Sequence, residues 1–286
     1  MSKSYEEIVS LVRDTLVEAG STFRQDKKNA YQRAAAAETN EKAKWVLETV
    51  LENAEAAEQN RSPLCDDSGI PHLVLEIGED TPVTGRTLDA IKEGIVEGLR
   101  KLPGRPMGIM GNDSQRIDQS GGLNPDSAGV EPAPILLRRC KENVIRLHIL
   151  MFGGGPAIRA KTYRVFHKHD TQVVLDEIVN WSKEAVSQLG CSPCTLAVGV
   201  GRSHFEAASM MLQAQTDGCY DVQSEMEQEI TRRVNEANIG PLGLGGKTSV
   251  IATFMKVGPQ RASGVRIVCV RPCCCFEPRI ATVELG

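Results

Sequence analysis

Nine cysteines stand at positions 65, 140, 191, 194, 219, 269, 273, 274 and 275. An odd count with three in one unbroken run does not read as a disulfide framework, which leaves metal ligation or burial as small hydrophobes. Three places combine a loop signal with an adjacent strand signal, where functional groups sit on a rigid scaffold. Cys65 follows Pro63-Leu64 and precedes the turn-forming string Asp66-Asp67-Ser68-Gly69. Cys191 lies in Gly190-Cys191-Ser192-Pro193-Cys194, just before an apolar stretch. The run at 273–275 follows an apolar stretch and Pro272. Adjacent residues project differently, so one cysteine of that run is expected to ligate and the other two to pack. Cys191-x-x-Cys194 has no second such pair, and alone it is weak evidence for zinc or a redox couple.

Gly153-Gly154-Gly155 ends an apolar stretch. Glycines there permit positive φ and close backbone approach, and bare N–H groups bind a carboxylate or phosphate. A plain tight turn is the competing reading. Gly243-Leu-Gly-Gly-Lys-Thr248 looks like the end of a phosphate-binding loop, but Pro241 stands where the pattern needs glycine. A helical pattern, not a strand, precedes it, so nucleotide binding is rejected. The five histidines show no HExxH spacing, and His167 and His169 read as solvated surface. Ser203-His204 carries no nucleophile elbow.

The elements that position these residues read as a mixed α/β chain: a helical N-terminal region over 1–59, then interleaved helices and strands over 60–286, as one domain over 1–286. Tyr5, Ile8, Leu11, Val12, Leu16 and Val17 recur by threes and fours, and Trp45, Val46, Val50 and Leu51 do the same. Strands are expected at 72–77, 144–152, 196–200, 249–257, 265–270 and 280–285. Helices are expected at 87–102, ended by Pro103-Gly104, and at 171–189, 205–215 and 221–237. Residues 103–134, rich in Gly, Pro, Asn, Asp and Ser, form a long loop region, which in a domain is usually functional or disordered.

A net charge of −4 supplies no basic field to draw nucleic acid or an anionic membrane. Aromatics at 4% leave few platforms for stacking bases. The amphipathic, acidic N-terminus has no signal-peptide core, and no apolar run reaches the roughly 20 residues of a membrane span. A cytoplasmic protein is expected.

Several separated strings, in order from about residue 40 onward, together resemble the alpha-type region of class I fumarate hydratases and L(+)-tartrate dehydratases. Cys65-Asp66-Asp67-Ser68-Gly69 is similar to the family's Cys-Gln-Asp-Thr-Gly. Leu99-Arg100 looks like its Leu-Arg, Gly153-Gly154-Gly155 like its triple-glycine substrate loop, and Lys161-Thr162-Tyr163 like a Lys-Thr-Tyr of some members. Gly190-Cys191-Ser192-Pro193 resembles its Ala-Cys-Pro-Pro, and the interval to Glu206 favours Cys191 over Cys194. The stretch from Ile239 to Thr248 resembles its Gly-Pro-x-Gly-x-Gly-Gly. Matching the family's last ligand string to Arg279 and Ile280 selects Cys274, with Cys273 close behind. Two departures stand on the substrate side. Asp66 replaces a glutamine, an acceptor in place of an amide that donates. Gln260 stands where fumarate hydratases carry the histidine of an Arg-His pair.

The resemblance implies a 4Fe–4S cluster ligated by Cys65, Cys191 and Cys274, with one iron left open as Lewis acid for reversible dehydration of a small hydroxy-dicarboxylic acid. It implies substrate contacts from Asp66, Asp67, Arg100, Gly154 and Gly155, with Asp67 catalytic, and an oligomeric assembly. Nothing in the chain resembles the family's beta-type region, so a separate beta-type subunit is expected to complete the site. The alternatives are a non-catalytic iron–sulfur sensor or scaffold, and a zinc-binding protein using Cys191, Cys194 and the 273–275 run.

Overall fold

The computed structural model describes residues 3–102, 104–105 and 107–286. Along the chain run α1 (Tyr5–Ser21), α2 (Gln25–Ala37), α3 (Glu41–Asn60), β1 (Ile70–Ile77), α4 (Gly85–Lys101), α5 (Asp113–Asp118), β2 (Leu136–Arg139), β3 (Ile145–Phe152), α6 (Gly154–Arg159) and β4 (Lys161–Phe166). There follow α7 (Thr171–Leu189), β5 (Cys194–Gly201), α8 (His204–Asp217), α9 (Glu225–Asn235), β6 (Val250–Val257), β7 (Val265–Cys273) and β8 (Ile280–Glu284). This is the mixed α/β class that the alternating patterns imply. The chain divides into two compact units interleaved in sequence. One comprises Met1–Phe23, Ala54–Gly153 and Arg279–Gly286; the other comprises Arg24–Asn53 and Gly154–Pro278. The helical region at 1–59 is thus shared, with α1 in the first unit and α2 in the second.

In the first unit, α1 starts on a capping box in which the Ser4 hydroxyl accepts the Glu7 N–H and the Glu7 carboxylate accepts the Ser4 N–H. Its stripe of Ile8, Val12 and Leu16 is buried against α4. The helices approach closely because α4 carries Gly94 and Gly98 on the facing side; a Cβ on Gly94 would lie 2.6 Å from the Val12 Cβ. This helical layer covers one face of a four-stranded sheet ordered β2-β1-β3-β8, burying Leu73, Leu75, Leu147 and Ile149. Period-two alternation turns Glu76 to the opposite face. The register sets it beside Arg138 and Arg146, which hold its carboxylate at 2.6 and 2.8 Å.

The second unit has a four-stranded sheet ordered β4-β7-β5-β6, with β5 and β6 parallel and the other pairs antiparallel. Every residue of β5 is buried. Leu196, Val198 and Val200 join the cluster made with α7 and α9. Gly199 and Thr195 face the other way, toward Ala207 of α8 and the Tyr220 hydroxyl. A strand covered on both sides reads as a continuous apolar run, as 194–201 does. On that second face α2 contributes Ala30 to a cluster with Ala214, Ala252 and Phe254.

The structure adds elements that sequence reading leaves out. Strands β2 and β4 lie at sheet edges and are short. The loop region at 103–134 holds α5, a 3-10 turn at Ser127–Val130 and a bridge between Ile109 and Leu123, with most side chains half-buried or exposed. Pro103, the expected stop of α4, lies outside the described residues. Among the described residues no helix is long and apolar enough to cross a membrane.

Candidate functional site

In the second unit, β7 ends at Cys273 and the chain turns, with the Glu277 N–H donating to the Cys274 carbonyl at 3.0 Å. Cys273 and Cys275 are buried while Cys274 is half-buried, so the middle cysteine is the most accessible of the run. Burial pushes the Cys273 thiol well up, and its S–H points to Gln215 Oε1 at 3.4 Å. The Cys275 thiol is raised by a hydrogen bond from Cys274 and by burial. Cys191 is exposed, and its carbonyl accepts the Cys275 N–H at 2.9 Å, which ties the two cysteine loops together. The next residue anchors that loop: Ser192 Oγ donates to the Gly240 carbonyl at 2.6 Å, and the Leu242 N–H donates to the Ser192 carbonyl at 3.0 Å. The glycine-rich segment after α9 therefore braces Cys191 and follows a helix rather than a strand. Cys194 is buried at the start of β5, and burial followed by the neighbouring Cys274 charge pushes its thiol well up.

Two residues of α2 reach the same loop. Lys27 Nζ donates to the Glu277 carbonyl at 3.0 Å, and Tyr31 Oη donates to the Cys275 carbonyl at 2.7 Å. Both side chains are fully buried. One helical turn separates them, so they share a face. Burial pulls the Lys27 ammonium down to about 8, against the upward pull of the neighbouring cysteine sulfurs, Cys274 foremost, and of Glu277. Arg271 and Glu277 form a buried pair at 3.0 Å beneath the turn. The start of α2 is tied in place by Asp26, which pairs with Arg24 and accepts the Tyr220 N–H at 3.0 Å. Sequence reasoning missed Lys27 and Tyr31. The signal was a lysine and an aromatic at one-turn spacing in an otherwise Ala-rich polar helix.

In the first unit, Cys65 is half-buried in the loop before β1, and the preceding Leu64 N–H donates to the Gly20 carbonyl. The Asp66 carbonyl accepts the N–H groups of Ser68 and Arg105 at 3.0 and 3.1 Å, while its exposed carboxylate meets Arg105 at 3.5 Å. Buried Arg279 fixes the next residues: Nη1 donates to the Asp67 carbonyl at 2.8 Å and Nε to the Met151 carbonyl at 3.2 Å. Gly69 sits at φ +87°, where a Cβ would lie 2.4 Å from the Phe152 carbonyl oxygen and 2.9 Å from Arg279 Nη2. Only glycine closes the loop this tightly. The Ser68 hydroxyl is buried with no hydrogen-bond partner among the described residues. Arg100, in the last turn of α4, places its guanidinium fork on Asp126, at 2.7 Å from Nη2.

Two expectations change, and the place of Gln260 is fixed. The triple glycine does not use positive φ; Gly154 and Gly155 form the first turn of the six-residue α6. His167 is buried rather than a solvated surface residue: Nε2 bonds the Ser263 carbonyl at 2.7 Å and Nδ1 accepts the His169 N–H at 2.9 Å. Those partners assign it as the neutral Nε2–H tautomer. Gln260 binds the carbonyls of Gly258 and Val200, at the far end of β5 from Cys191. An eight-residue strand is about 26 Å long at ~3.3 Å per residue, so the departure at 260 does not touch the cysteine loops of its own unit.

Among the described residues no three His, Cys, Asp or Glu side chains are gathered as ligands of a single metal ion. The zinc reading also needs Cys194, whose thiol is enclosed in β5 and held protonated by burial. In the second unit, Cys191 and Cys274 are accessible thiols on loops tied to each other, and in the first unit Cys65 is a half-buried thiol on a braced loop; thiols of this kind fit iron–sulfur ligation.

The fold and its loops define a mixed α/β protein that presents cysteines beside its strands. The chain belongs to the fumarate hydratase (Fumerase) family, which matches residues 9–284. It is thereby a member of a hydro-lyase family, that of fumarate hydratase and tartrate dehydratase. It is 24% identical over 285 residues to a Methanocaldococcus jannaschii protein named "Putative L(+)-tartrate dehydratase subunit alpha", covering 96% of each chain. It is 22% identical over 243 residues to the L(+)-tartrate dehydratase subunit alpha of Escherichia coli, covering 83% of this chain and 78% of that one. It is 24% identical over 274 residues to a Geobacillus stearothermophilus protein named "Putative fumarate hydratase class I", covering 90% of this chain and 50% of that one.

Proposed function

We propose that the chain is the iron–sulfur alpha subunit of a cytoplasmic, oligomeric hydro-lyase that reversibly dehydrates a small hydroxy-dicarboxylic acid of the malate or tartrate kind. Cys65, Cys191 and Cys274 are the cluster ligands in this reading. The observation that carries it is the half-buried Cys274 between two buried thiols, on a turn tied directly to exposed Cys191. A 4Fe–4S cluster bound there supplies a Lewis-acidic iron that polarises the substrate hydroxyl.

The chain's own residues do the rest. Arg279 fixes the main chain of Asp67, giving that carboxylate a set position from which to hydrogen-bond the hydroxyl and assist its proton transfer. Arg100 has the fork that grips a carboxylate in bidentate fashion, by exchanging Asp126 for substrate. Both partners of that pair are exposed, so the exchange costs little. Backbone N–H groups at Gly154 and Gly155 offer further contacts. Asp66 repels a second carboxylate unless Arg105 neutralises it, which the 3.5 Å pairing supports. The word "alpha" in two relatives' names supports a separate beta-type partner that completes the site.

The test is anaerobic reconstitution of the full chain with iron and sulfide, followed by assay with its partner subunit on fumarate, malate, tartrate and citrate-like acids. The expected result is a bound cluster and turnover of one four-carbon acid. A reconstituted chain without iron, or an assembled enzyme inert on every acid, overturns the reading. A non-catalytic cluster scaffold is the second reading, favoured by one observation: the guanidinium assigned to substrate already holds Asp126.

A further inference from the structure

We propose, building on the iron–sulfur reading above, that Lys27 is a positioning residue for the cluster: it locks the turn after Cys274 and sets a buried positive charge behind the ligating sulfur. Lysine is almost never fully buried without a specific partner. Lys27 is 1% exposed, and its ammonium donates to a main-chain carbonyl, that of Glu277, at 3.0 Å. The N–H of the same Glu277 donates to the Cys274 carbonyl at 3.0 Å, so two hydrogen bonds in series run from Lys27 to the ligand residue. Tyr31 grips the Cys275 carbonyl from the same face of α2. The turn that follows Cys274 is therefore clamped at two points by one helix.

Tyr31 demonstrates that a neutral donor is enough to hold a carbonyl here. A lysine at the second contact adds a charge to the hydrogen bond. The buried ionic groups beside the run, Lys27, Arg271 and Glu277, carry two positive charges and one negative. A cluster ligated by three thiolates is anionic, and interior charges act strongly at short range. Net charge and hydrogen bonding near the sulfurs are levers on an iron–sulfur potential. The positive charge stabilises the thiolate of Cys274 and favours any added electron.

The test compares the full chain with K27Q and K27M after anaerobic reconstitution, reading iron and sulfide per chain and the cluster reduction potential by EPR-monitored titration. K27Q keeps a donor for the Glu277 carbonyl and removes the charge. It is expected to load iron as the unaltered chain does, with the potential shifted to more negative values. K27M removes donor and charge, and is expected to show the same shift with a several-fold loss of bound iron. Should K27M fail to fold, K27Q carries the test. An unaltered chain that binds no iron sinks the proposed function and this role with it. A loaded unaltered chain beside a loaded K27Q of unchanged potential sinks the role of Lys27 alone.

Discussion

The phenol of Tyr31 donates to the carbonyl of Cys275 at 2.7 Å, and both groups are sealed from solvent. A buried carbonyl that loses its donor costs about 1–3 kcal/mol. Y31F is therefore expected to destabilise the chain by roughly 1–2 kcal/mol, read by urea unfolding, and to loosen retention of reconstituted iron. Unchanged stability together with unchanged iron retention would show that the clamp contributes nothing.

Serine substitutions along the run test the side-chain alternation. C274S, C191S and C65S are each expected to lower bound iron to a small fraction of the unaltered level. C273S and C275S are expected to keep it, because those two residues are buried and Cys274 is the accessible one of the run. Iron retained by C274S and lost by C273S would move the ligand to Cys273.

Arg279 is the brace of the first cysteine loop. R279M removes its hydrogen bonds to the Asp67 and Met151 carbonyls. Charged hydrogen bonds contribute about 1.5–3 kcal/mol each, so a loss on the order of 3 kcal/mol is expected by thermal or urea unfolding. Hydrogen exchange at residues 66–69 should accelerate in any R279M that remains folded. Protection there equal to that of the unaltered chain argues against the brace.

Glu76 predicts a pH signature. Burial alone would raise its carboxyl, but Arg138 and Arg146 overcome that and hold it below the ordinary carboxylate range. A folded-state value below the unfolded one means the unfolded chain binds the extra proton. The contribution is then fully present above the unfolded value of about 4.3 and is lost as pH falls through the folded value. The stability gap between the unaltered chain and E76Q should be flat near neutrality and close as the solution is acidified below that range. A gap that widens on acidification contradicts the sign.

Arg100 and Asp126 separate the two functional readings. Their pair is exposed, so R100Q should barely change stability. If Arg100 grips a substrate carboxylate, R100Q should lower kcat/KM by about 10- to 100-fold, in line with a lost charged contact. D126N should free the guanidinium and lower KM. Unchanged kinetics in R100Q would remove Arg100 from the site.

The long helices and buried strands were legible because their periodicity is local. The apolar stripe of α1 and the unbroken run of β5 report their own burial within a few residues of chain. Strand β2 was not legible, because a short edge strand with two arginines shows too little pattern to separate it from loop. His167 was misread because its burial depends on Ser263, far along the chain.

The sequence by itself determined the thiol inventory, the ordered strings around Cys65 and Cys191 that carry the family likeness, and the preference for Cys274. Tertiary structure alone decided what braces them. Lys27 meets Glu277 across 250 residues, Tyr31 meets Cys275 across 244, and Arg279 meets the Asp67 carbonyl across 212. Local patterning constrains only neighbours within a turn or a strand. A donor's choice of one distant carbonyl depends on how the whole chain packs, and so on the fold that buries both groups together.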